Sequence, residues 1–319
     1  MLWFFLIFST FSWGMAEIFY KKGNTADEKY AHLKTTVFVG FCFGIYALII
    51  LLTQGVSLKY FPINFLKYLP VALCYIVSMT CSYFGVRYIE ESIADPIENT
   101  SCAVVPILCA VFLHQKLNTQ MVIAIILVFV GILGAGIFDR SGKEKRTGKY
   151  GKKLALVSIA MPFCYMILDA IGTFFDIYYT DSAETSVLVG VTEENLEHTA
   201  NCCYEIAFFI CSIFILLYLK RKNVKLFSVS SGESDEKFSL KSIASQKNKI
   251  LAALFETAGQ STYMFSLSEG TGMAAVILGA GTIIISFTLS RILLKEKLTA
   301  TQYFFIALIF AGIITISLS

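Results

Sequence analysis

Charge is scarce in this chain. Asp, Glu, Lys and Arg make up 15% of its 319 residues, where a soluble domain carries about 25%. A surface that meets water on every side is therefore excluded. Histidine is scarcer still. His32, His114 and His198 lie far apart, in expected loops or span ends, so they offer no metal-ligating pair. The nine cysteines show neither a metal spacing nor a disulfide framework. They read as buried small hydrophobes, with the adjacent Cys202 and Cys203 at a helix entrance the one pair to watch. Also missing are a phosphate-binding glycine loop, an ATP-binding motif and a nucleophile motif. These absences speak against the alternative reading, a membrane-embedded enzyme or a channel. A channel would show a filter loop or symmetric rings. No catalytic residue, metal or cofactor is expected.

What remains is apolar. Mean hydropathy is +0.69 and 56% of residues are hydrophobic. Ten apolar runs cover 2–20, 35–53, 68–88, 92–113, 120–138, 154–177, 200–219, 250–267, 272–294 and 300–318. A helix needs about 20 such residues to cross the hydrocarbon core. The short alternating segments of a membrane barrel are absent. The expected fold class is all-α, a polytopic membrane protein of ten transmembrane helices. The first run has no basic n-region or small-residue cleavage site, so it is not expected to be a signal peptide. Of the 26 basic residues, 23 fall in alternate connections, namely 21–34, 87–91, 139–153, 219–249 and 291–299. The positive-inside rule makes those connections cytoplasmic and places both termini outside.

The basic segment 139–153 divides the chain nearly in half. The expected domains are a five-helix repeat over 1–138, a cytoplasmic linker over 139–153, and a second five-helix repeat over 154–319. The second repeat contains a flexible, Ser-rich basic loop over 219–249, expected to rest on anionic lipid. The acidic segment 178–199 has no Lys or Arg and is expected outside. A shift of 181 residues lays FLHQKLNTQ (Phe112 to Gln120) on LLKEKLTAT (Leu293 to Thr301). It also lays Gly131 on Gly312. An odd number of spans per repeat inverts one half against the other, a mark of secondary transporters.

The stretch LLKEKLTATQYFFIALIFAGIITISL (Leu293 to Leu318) resembles the EamA-like branch of the drug/metabolite transporter superfamily. Its turn is similar to that family's LLGE-x-LT-x-x-Q pattern, followed by a Gly-containing last helix. In the first half Pro106 fits the family's mid-helix proline, and HQKL (His114 to Leu117) replaces the Gly-Glu pair. The resemblance implies two five-helix repeats and transport of small metabolites or drugs. The expected location is a bacterial plasma membrane. It also implies cytoplasmic termini; the charge distribution says the opposite, and 23 against three is lopsided enough to follow.

Ionisable residues inside spans cost about 2.5–3.5 kcal/mol each at a helix centre and point to function. Several share helix faces by their spacing. Asp95, Glu98, Asn99 and Cys102 do so in run four, Asp169, Gly172, Thr173 and Asp176 in run six, and Glu256, Gly259, Gln260 and Tyr263 in run eight. Asn201 and Glu205 fall in run seven, Trp13 and Glu17 in run one, and Tyr165 lies one turn before Asp169. These faces are expected to line a polar cavity between the two halves. The candidate pathway is Glu17, Asp95, Glu98, Asn99, Tyr165, Asp169, Thr173, Asp176, Glu205, Glu256 and Gln260. For Asp95 helix capping is the competing structural reading, and for Glu17 snorkelling to the surface. No Lys or Arg occurs between Lys153 and Lys220, so the acids cannot all be ion-paired. They suit proton coupling, or a cationic or amine-bearing solute. Expected partners are that small molecule, protons and lipid, with no nucleic acid.

The charge distribution is tested by topology reporters. A reporter active only in the cytoplasm, fused after Ser319, is expected to be silent, and an extracytoplasmic one active. The opposite pair of results restores cytoplasmic termini.

Overall fold

The computed structural model describes residues 2–137, 152–227, 240–268, 272–295 and 299–317. Among them every regular element is a helix. The first half contains α1 (Leu2–Gly23), α2 (Ala31–Thr53), α3 (Phe61–Gly85), α4 (Glu91–Glu98), α5 (Ser101–Phe112) and α6 (Thr119–Ile137). The second contains α7 (Lys152–Thr180), α8 (Leu196–Arg221), the short α9 (Leu240–Ser245), α10 (Lys247–Ser268), α11 (Gly272–Leu289) and α12 (Ala300–Ser317). A π turn, Ser290–Leu294, continues α11. Six described segments are long and apolar enough to cross a membrane, and stretches of α6 and α12 are shorter apolar helices. The polar α10, with Lys247, Lys249, Glu256 and Gln260, is not among the six, and nor is α1.

Run four is not one uniform helix. It divides at Asn99–Thr100 into α4 and α5. The Thr100 N–H reaches back only three residues to Ile97 O at 3.3 Å, and Cys102 N–H to Asn99 O at 3.1 Å. Pro96 and Pro106 each lack a backbone donor, which weakens the i→i−4 ladder on both sides of the division. Most of the linker 139–153, and residues 228–239 of the loop 219–249, lie outside the described residues. The acidic segment 178–199 is fastened down. Asn64 exchanges two hydrogen bonds with Val189, at 2.7 and 3.0 Å, and Lys67 Nζ donates to Val187 O at 2.7 Å. Cys202 and Cys203 are buried rather than accessible at a helix entrance, because Ala200 to Ala207 pack against the core.

The main helix pairs join the two halves: α1 with α10, α2 with α8, α3 with α7 and α6 with α12. Glycines permit close approach in the last pair. A Cβ on Gly131 would lie 2.8 Å from Phe305 O and 2.7 Å from Ile309. A Cβ on Gly312 would lie 3.0 Å from Ala124 O and 2.6 Å from Val128. Small residues of this kind are how helices pack where lipid offers no hydrophobic drive. At the turn end of the α1–α10 pair, Glu28 is buried, ion-paired with Lys34 at 2.7 Å, and accepts from Lys249 at 2.6 Å. Arg87 donates to the Glu28 backbone carbonyl at 2.7 Å. Glu28 thus ties the α1–α2 turn to α2 and α10 through its carboxylate, and to the segment after α3 through its carbonyl.

The turns before α6 and α12 match in detail. His114 and Lys295 both have positive φ, 55° and 57°. Asn118 Oδ1 caps α6 by accepting from Met121 N–H at 2.8 Å. Thr299 Oγ1 accepts from Gln302 N–H at 3.3 Å, while Gln302 Oε1 accepts from Thr299 N–H at 2.8 Å, a capping box at the start of α12. A non-glycine residue in the left-handed region costs about 1–2 kcal/mol. His114→Gly and Lys295→Gly are therefore each expected to stabilise the protein, by about 0.5–1 kcal/mol after glycine's own entropy cost. Melting temperature in detergent is the measurement. A fall in either variant contradicts this account of the turns.

Candidate functional site

α1, α3, α4, α5, α7, α8, α10 and α11 surround a cavity. Each helix contributes a face at helical spacing. α1 places Trp13, Glu17 and Tyr20 on it, α3 places Tyr75, Met79, Ser82 and Tyr83, and α7 places Tyr165, Asp169 and Thr173. α10 adds Glu256, Gln260 and Tyr263. The division between α4 and α5 brings Glu98, Asn99, Ser101 and Cys102 to the wall. Two glycines make room: a Cβ on Gly259 would lie 2.6 Å from the Trp13 ring, and one on Gly279 would lie 2.5 Å from Cys102 Cβ.

Of the sequence-predicted residues, Glu17, Glu98, Asn99, Tyr165, Asp169, Thr173, Glu256 and Gln260 lie on this wall. Asp95, Asp176 and Glu205 do not. Asp95 is buried behind it and accepts from Asn99 Nδ2 at 2.6 Å. Asp95 is also not a helix cap: Glu90 holds that position in α4, without a side-chain capping bond. Asp176 lies beyond the cavity, and Glu205 behind α8. Glu17 turns inward instead of snorkelling. Residues not expected from the sequence are Tyr75, Met79, Ser82 and Tyr83 of α3, Ser101 of α5 and Tyr204 of α8. The spacing of Tyr75, Met79 and Ser82 along one face was the signal for α3, hidden because tyrosine is common in membrane-interface belts.

Four carboxyl groups, Glu17, Glu98, Asp169 and Glu256, face the cavity, and among the described residues no Lys, Arg or His lines it. Asp169 accepts from Ser101 Oγ at 2.6 Å. One oxygen of Glu98 and one of Glu17 have no hydrogen-bond partner. Seven aromatic rings share the wall: Trp13, Tyr20, Tyr75, Tyr83, Tyr165, Tyr204 and Tyr263. Two acids at or beside the wall are held by tyrosines. Tyr20 donates to Glu256 at 2.8 Å and receives from Tyr83 at 3.0 Å. Tyr68 and Tyr75 both donate to Asp176, and Tyr75 meets Tyr263 and Thr173 at 3.1 Å. Tyr68 and Tyr83 lie 15 residues apart on α3, about 22 Å along its axis. The arrangement can hold a cation among carboxylates and ring faces. A unit charge 4 Å from a carboxylate gains about 4 kcal/mol at an effective dielectric of 20, and a ring face adds about 0.5–2 kcal/mol.

No match is found among curated proteins. A solved structure described as "Crystal structure of protein" is similar in fold, with a TM-score of 0.61 and 11% identity, over 98% of this chain and 95% of that one. The EamA-like transporter family matches residues 1–137 and 204–318, most of the chain and parts of both halves. With spans apolar enough to cross a membrane, the chain is an integral membrane protein, and it belongs to the EamA-like transporter family of the drug/metabolite transporter superfamily.

Proposed function

We propose that this protein is a secondary transporter that moves a small cationic or amine-bearing solute by alternating access, driven by a gradient. One observation carries the choice of solute: four carboxyls and seven aromatic rings converge on a cavity lined, among the described residues, by no basic side chain. An anionic solute would meet only acids and ring faces there, whereas a cation finds partners on every side. The two-repeat arrangement is supported by the equivalences under the 181-residue shift. They relate His114 to Lys295, the cap at Asn118 to that at Thr299, and the contact of Gly131 with Ile309 to that of Gly312 with Val128. Alternating access is supported by the two acid–tyrosine clusters. Their hydrogen bonds, to Glu256 and to Asp176, can each be exchanged for water as the helices part.

Uptake into proteoliposomes tests the reading. A quaternary ammonium probe is expected to accumulate and to be displaced by primary amines, but not by a neutral or an anionic solute of the same size. Equal transport of the three charge types overturns the assignment. Glu98→Gln and Asp169→Asn keep side-chain shape and remove the ionisable group. Each is expected to lower cation uptake per folded molecule about tenfold or more, equivalent to about 1.4 kcal/mol, with melting temperature unchanged or raised. Lower stability with unchanged specific uptake would refute the cavity role for that residue.

A further inference from the structure

Glu205 is fully buried in α8, and neither of its carboxyl oxygens has a hydrogen-bond partner. It is not part of the cavity wall. The titratable side chains that interact with it are Tyr46 on α2 and Cys202 and Tyr204 on its own helix. All three are neutral in their ordinary forms, and no cation is among them. α3, which also packs on α8, turns Tyr75 and Tyr83 to the cavity instead. From α10, Ser261 interacts with Tyr46, Gln260 with Asn201 and Glu256 with Tyr204. An ionised carboxylate here would have lost water and gained no counter-charge, whereas the neutral acid leaves its O–H and acceptor oxygens unsatisfied but buries no net charge, the smaller cost.

Asn201 lies one helical turn before Glu205, on the same face of α8. Gln260 Nε2 donates to Asn201 Oδ1 at 2.9 Å, and Gln260 lines the cavity. This amide pair links the turn of α8 before Glu205 to a side chain of the cavity wall. Tyr204, beside Glu205 in sequence, lines the cavity and interacts with both Glu205 and Glu256.

We infer that Glu205 is a proton-binding site outside the central cavity, loaded as the neutral acid while α2, α8 and α10 are packed in this way. When the Asn201–Gln260 bond parts and water enters, the O–H bond of the carboxyl breaks. Its proton passes to water as hydronium, and the carboxylate keeps the electron pair. The reverse step reloads it. The proton site stands without the transport reading; its role as the coupling group rests on that reading.

Infrared spectra of the full chain in lipid, wild type minus Glu205→Gln, test the site. The C=O stretch of a neutral carboxylic acid is expected in the difference and should persist at mildly alkaline pH. Carboxylate bands without an acid band overturn it. Glu205→Met gives the same comparison if the Gln variant does not insert. The coupling role is read separately in proteoliposomes. A pH gradient alone is expected to drive uptake of a quaternary ammonium probe by the wild type, while in Glu205→Gln that uptake falls to the level of empty vesicles and uptake driven by the probe's own gradient remains. Equal pH-driven uptake in both overturns coupling through Glu205. If the wild type shows no uptake under either gradient, the transport reading fails while the infrared result still decides the proton site.

Discussion

A carboxyl group in a hydrocarbon slab needs a cation, a set of donors or a proton, and the architecture follows from how each acid is supplied. Glu28 has two ammonium groups, Lys34 and Lys249, and serves as a tie between helices. Asp176 and Glu256 have tyrosine hydroxyls, which hold them without neutralising charge. Glu17 and Glu98 are only partly satisfied and face open space. The first group is built to stay put, because breaking a buried ion pair costs about 3–5 kcal/mol. The second can exchange its partners for water at far smaller cost, since a neutral hydrogen bond nets only about 0.5–1.5 kcal/mol. Rigid and mobile parts of the molecule are thereby separated by the chemistry of their acids.

The all-helical class, the membrane-length apolar segments and much of the polar wall were legible because they depend on composition and period. Spacing tells which residues share a face; it does not tell what that face meets. Asp169 and Asp176 lie on one stripe of α7, but seven residues of rise, about 10 Å, carry Asp176 past the end of the cavity. Asp95 and Glu98 differ by about 60° around their axis, enough for one to reach the wall and the other to sit behind it. Glu205 follows the wall residue Tyr204 by one position, a rotation of about 100°. α3 was read as plain apolar sequence because its contribution is tyrosine, which counts as hydrophobic by composition and acts here through its hydroxyl. Run four reads as one span in the sequence; its division lies between Pro96 and Pro106, beside α11, where Gly279 meets Cys102.

The pairing of halves also explains where the small residues fall. Gly40 and Gly44 sit against Ser212 and Phe209 of α8, and Gly131 and Gly134 against α12. These seams join α2 to α8 and α6 to α12, each uniting the N-terminal and C-terminal halves. Within the lipid, close backbone approach substitutes for the apolar drive that would hold such helices together in water.

That pairing has a consequence for how the chain is made. Because α1, α2, α3 and α6 each have a main partner in the second half, none can complete its packing while the ribosome is still translating the first. Early spans must wait in the bilayer, with Glu17 and Glu98 not yet enclosed and the glycine seam of α6 open. Long-range contacts of this sort slow assembly, and the waiting intermediate is the form most exposed to quality-control proteases. Synthesis of α10 and α12 closes that interval, so truncation after the linker leaves a half-protein whose helices lack their chief partners.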